Sequence, residues 1–62
     1  MNLKKLREER GLSQSQLAKA SGVSVRMIQY YEQGVKDISK AQVMTVIALA
    51  DALGAEVKDV VK

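Results

Sequence analysis

Four glycines, Gly11, Gly22, Gly34 and Gly54, each close a stretch of helical periodicity, and the 62 residues contain no proline. A glycine at positive φ ends a helix without a Cβ clash, so the chain carries its own helix punctuation. No run of four or more residues alternates apolar and polar except inside a better helical pattern. An all-α chain is therefore expected. The spacing predicts five helices, over about residues 2–10, 14–21, 25–33, 40–53 and 57–61.

Two helix starts carry a capping-box pattern. Ser13 is followed by Gln16 and Ser39 by Gln42, so each hydroxyl can take a free backbone N–H while the Gln side chain reaches back. Leu12 ahead of Ser13 is spaced to pack on Leu17, and Val23 ahead of a Ser24 cap on Ile28, as in a hydrophobic staple. The second and third helices are short and separated by a glycine turn. Ala18 is small enough to let the next helix approach and Gly22 lets the chain reverse, which is the spacing of a helix-turn-helix.

Composition then narrows the chemistry. One domain, residues 1–62, is expected, and a domain this small buries only about 60% of the surface its unfolded chain exposes. With no His and no Cys, the chain lacks the usual nucleophile and base pairs, any thiolate or imidazole metal ligand and any disulfide. No catalytic residue, metal or cofactor is expected. Glu8 and Glu9 read as a solvated face, since general acid–base work needs a pocket and a second positioned group. The longest charge-free stretch, Ala41 to Ala50, is far shorter than the roughly 20 residues of a membrane span, and the start Met-Asn-Leu-Lys-Lys-Leu has no signal-peptide apolar core. The expectation is a cytoplasmic protein with no membrane contact and no small-molecule ligand. A net charge of +3 on so small a body makes a polyanion a reasonable partner.

On a wheel of roughly 100° per residue, Ser24, Ile28, Tyr31 and Glu32 fall on one side of the third helix. Arg26, Gln29, Tyr30 and Gln33 fall on the other, with Val25 at the margin. This outer set is polar and carries no acid. Arg can bond the two acceptors of guanine in the major groove, Gln can pair with adenine, Val can touch a thymine methyl, and the Tyr30 phenol suits a phosphate or a base edge. Taken alone, the same set is also what a solvated helix face looks like. Its place beside the second helix favours DNA, because that helix's free N–H groups and Gln14 would meet a phosphate. Lys36 and Lys40, past the far end of the third helix, either meet a second phosphate or stand as ordinary surface lysines. Glu32 points inward and needs a partner, for which Arg7 on the inner face of the first helix is the candidate.

These residues resemble the Cro/C1-type helix-turn-helix of phage repressors and bacterial regulators, the XRE family. The resemblance runs through Leu6-Arg7-Glu8-Glu9-Arg10-Gly11-Leu12-Ser13-Gln14, Leu17-Ala18, Gly22-Val23-Ser24, Ile28, Tyr31-Glu32-Gln33-Gly34 and Leu49-Ala50-Asp51-Ala52-Leu53-Gly54. It implies a compact five-helix, lambda-repressor-like DNA-binding domain whose third helix lies in the major groove and which binds a two-fold operator as a homodimer. On the matching positions, Val25, Arg26 and Tyr30 would face base edges and Gln29 either a base or the backbone. Gln14 and Ser24 would bond phosphate, with Gln33 assigned beside them. The Arg7–Glu32 pair is implied as well. Two departures stand out: the segment between Gly34 and Gly54 is longer than in the shortest phage repressors, and Asp37-Ile38-Ser39 replaces the Pro-Ser that often opens the fourth helix. The last helix begins at Glu56 where Ser or Thr is common, so a frayed last turn is expected.

The expected core is Leu3, Leu6, Leu17, Ile28, Tyr31, Val43, Val46, Leu49, Ala50 and Leu53. Met44 and Ile47 lie off that stripe and, with Val57 and Val61, are candidates for a dimer contact. The reading is a sequence-specific regulator of transcription, a repressor, with double-stranded DNA as partner. The rival is a protein-interaction module of the same fold, such as an antitoxin or adaptor, which would use Met44, Ile47 and the last helix to hold a protein partner.

Overall fold

A computed structural model describes residues 2–61. The helices are α1 (Leu3–Glu9), α2 (Gln14–Ser21), α3 (Val25–Gln33), α4 (Val43–Leu53) and α5 (Val57–Val61), with a 3-10 turn at Ile38–Lys40 between α3 and α4. No strand occurs among the described residues.

Local chemistry accounts for most of these boundaries. Ser13 Oγ accepts the Gln16 N–H at 3.0 Å while Gln16 Oε1 accepts the Ser13 N–H at 2.8 Å, so the box that opens α2 is complete. Ser24 Oγ accepts the Met27 N–H at 3.2 Å and opens α3. Gly22, at φ 77°, ends α2 by donating to the Ala18 carbonyl. Gly34, also at φ 77°, ends α3 together with Val35, whose N–H reaches the Tyr30 carbonyl at 2.9 Å. The turn between α2 and α3 is made by these two devices, a left-handed glycine and a serine cap within three residues.

The start of α4 differs from expectation. Ser39 and Gln42 do not form a capping box. Both the N–H and the hydroxyl of Ser39 donate to Asp37 Oδ1, at 2.9 and 2.7 Å. Asp37 thereby holds a separate 3-10 turn, and α4 begins only at Val43, with Gln42 ahead of it making no side-chain cap. An Asp two residues upstream competes for the Ser39 N–H through a tighter local loop than the box would make.

Leu3, Leu17, Ile28, Tyr31, Ile38, Val46, Leu49, Ala50, Leu53 and Val60 form one buried cluster to which every helix contributes. Leu6 is only partly buried at its edge, with Leu12, Val23 and Met27. Val43, expected inside, is 65% exposed. It is the first residue of α4, and helical side chains lean towards the N-terminus, so it overhangs the end of the helix instead of facing a neighbour. The core takes Ile38 from the 3-10 turn instead. Val60 is wholly buried, which contradicts a frayed last turn. Asp59 Oδ2 accepts the Glu56 N–H at 3.4 Å, which is the N3 half of a capping box, and Asn2 Nδ2 donates to the Asp59 carbonyl at 3.1 Å, tying α5 to the start of α1. Arg10 Nε donates to the Leu53 carbonyl at 2.8 Å and satisfies the end of α4.

Candidate nucleic-acid interface

α3 carries the candidate site, and its inner face sets where the outer one stands. Ile28 and Tyr31 are buried against the other helices. Beside them the Glu32 side chain, 3% exposed, is gripped by Arg7 from α1: Nε donates to Oε2 at 2.8 Å and Nη2 to Oε1 at 3.1 Å. Arg7 Nη1 continues to the Leu12 carbonyl at 2.7 Å, so one guanidinium joins α1, the α1–α2 turn and α3. Burial would push the Glu32 carboxyl up, but the bonds from Arg7 and Gln14 and the Arg7 charge outweigh it and hold the pKa below the usual glutamate range. The bond to Glu32 outweighs desolvation in Arg7 too, whose pKa is raised. The pair stays ionised, and the only acid of α3 is removed from the outer face.

On that outer face Arg26 and Gln33 are exposed, Val25 is at the surface, and Gln29 and Tyr30 are half-buried. Ser24 is exposed at the start of the helix, with its oxygen already accepting the Met27 N–H and its hydroxyl hydrogen free to donate. Gln14 opens α2 immediately alongside. Its amide donates to Glu32 Oε1 at 3.0 Å and its carbonyl oxygen accepts from Gln29 Nε2 at 3.4 Å. Sequence reasoning placed Gln14 at the surface and missed both bonds, because they join α2 to α3 across sequence separations of 18 and 15 residues.

Lys36 and Lys40 are exposed and line a shallow depression beyond α3 with Met27, Tyr31, Asp37 and Ala41. Asp37 lies between them, and the Ser39 hydroxyl and N–H hold its carboxyl below the usual range. The cluster therefore offers a net single positive charge, less than the two lysines alone. Met44 is 71% exposed and Ile47 and Val57 are at the surface, whereas Val61 packs partly against the core. Among the described residues, no group of His, Cys, Asp or Glu stands in metal-holding geometry, and no helix is long and apolar enough to cross a membrane.

A family model described as helix-turn-helix matches residues 3–60. The chain belongs to this Cro/C1-type, or XRE, helix-turn-helix family, whose members are DNA-binding regulators of transcription and typically not enzymes. Comparison with curated proteins and with solved structures gives no match.

Proposed function

We propose that this chain is a single-domain, cytoplasmic, sequence-specific regulator of transcription that binds double-stranded DNA, laying the outer face of α3 in the major groove and repressing by occupying its operator. The observation that carries this reading is the acid-free face formed by Val25, Arg26, Gln29, Tyr30 and Gln33 next to the N-terminus of α2, on a helix whose one carboxylate is neutralised inside. Val25, Arg26, Gln29 and Tyr30 read base edges. Gln14 contacts a phosphate with its remaining amide hydrogen, and Ser24 and Gln33 contact the backbone beside it. Lys36 and Lys40 add attraction without sequence preference, weakened by Asp37.

A two-fold site requires two copies. Val43, Met44 and Ile47 expose apolar surface along α4, and a second copy of the chain is the partner we assign to it, with Val57 at the margin. The same exposure favours the rival reading, in which a different protein, a toxin for example, docks there. The deciding experiment is fluorescence anisotropy with random and selected duplexes at two salt concentrations. Tight, salt-sensitive binding with at least about a hundredfold preference for a selected two-fold site is expected. Absence of binding to any duplex at low salt would transfer the function to the α4 surface.

A further inference from the structure

The hydrogen bonds around Glu32 all point one way. A carboxylate can only accept, so Gln14 must turn its NH2 group to Glu32 Oε1, which it does at 3.0 Å. The Gln14 carbonyl is then at the opposite corner of the amide and can only accept as well. It accepts from Gln29 Nε2 at 3.4 Å. Gln29 is thereby turned with its nitrogen towards α2, leaving its own carbonyl oxygen and one N–H for an outside ligand.

We propose that Glu32, although it offers DNA no group of its own, sets the base preference of Gln29: the directed chain from Gln29 through Gln14 to Glu32 makes Gln29 a reader of adenine and a poor partner for guanine. The inference rests on the DNA-binding function proposed above. An acceptor beside a donor matches the N6 amino group and N7 of adenine, whereas guanine presents two acceptors, N7 and O6, at the same edge. An untethered glutamine can rotate its amide to suit either base. A tethered one cannot do so without breaking the bond to Gln14 or leaving two carbonyl oxygens face to face. Arg7 completes the device, because its two bonds hold the carboxylate in place as the fixed end of the chain.

Binding sites selected from a randomised duplex pool test this with the wild-type chain, Gln29→Leu, Gln14→Leu and Glu32→Gln. One position should show about a tenfold or greater preference for adenine over guanine in the wild type, and Gln29→Leu should abolish it. Gln14→Leu, which has no acceptor to hold Gln29, should narrow the preference at that position to within about twofold while the guanine preference read by Arg26 persists. Glu32→Gln should act in the same direction, and Gln14→Leu carries the test should that variant fail to fold. An undiminished adenine preference in Gln14→Leu, or no position that depends on Gln29, overturns the proposal. A wild type that selects no site overturns the DNA-binding reading itself. A readout without DNA separates the two: the side-chain NH2 resonances of Gln29 in a 15N-labelled sample should move on Gln14→Leu, and unchanged resonances refute the chain of bonds whatever the DNA result.

Discussion

The two faces of α3 are built from the same nine residues and behave as different materials. The inner face holds Ile28, Tyr31 and the Glu32 carboxylate, all packed or paired. The outer face holds Arg26 and Gln33, exposed, with Gln29 and Tyr30 half-covered. Substitution inside should therefore alter stability, and substitution outside should alter what is bound. Gln29 is the point where the distinction is least sharp, since its amide is tied through Gln14 to the buried pair.

Breaking the inner face is expected to have the largest effect. Glu32→Ala leaves the Arg7 guanidinium buried without its partner and should cost about 3–5 kcal/mol in urea unfolding; an unchanged unfolding midpoint would remove the pair from the architecture. Acid should reproduce part of this loss. The folded-state pKa of Glu32 is depressed, so its contribution is complete above the ordinary carboxylate pKa and disappears as pH falls through the lower folded value. The wild-type melting temperature should drop over that acid window more steeply than that of Glu32→Gln.

On the outer face, Arg26→Ala should leave the melting temperature nearly unchanged and lose about 1–3 kcal/mol of discrimination at particular base pairs. Identical selected sites for wild type and variant would take Arg26 out of base reading. Two smaller substitutions sharpen the contrast between helix starts. Ser13→Ala removes a complete capping box and should destabilise by about 1 kcal/mol in thermal unfolding. Val43→Ser, at an overhanging position, should change stability by less than about 0.5 kcal/mol, whereas a loss near that of a core valine would restore Val43 to the interior.

Much of this architecture is legible in the sequence, and the reason is range. The Ser13 box, the Ser24 cap and the glycine ends at Gly22 and Gly34 are satisfied within five residues of themselves. The Arg7–Glu32 pair spans 25 residues, yet it was foreseeable, because an inward carboxylate must find a cation and the first helix offers one on its inner face. The opening of α4 departs from the expected Ser39 box despite being local. Asp37 and Gln42 both offer Ser39 a short-range partner, and choosing between them depends on where the turn must deliver Ile38.

What the sequence by itself determined is therefore the set of helices, the reversal between α2 and α3, and the polar, acid-free character of the reading face, all consequences of backbone capping and helical periodicity. Only the tertiary structure decided that Val43 lies outside while Ile38 and Val60 lie inside, and that Gln14 is bonded at both ends of its amide. Those outcomes depend on which helix end overhangs and which amide meets the carboxylate across the α2–α3 crossing, and burial and hydrogen-bond direction are properties of neighbours in space.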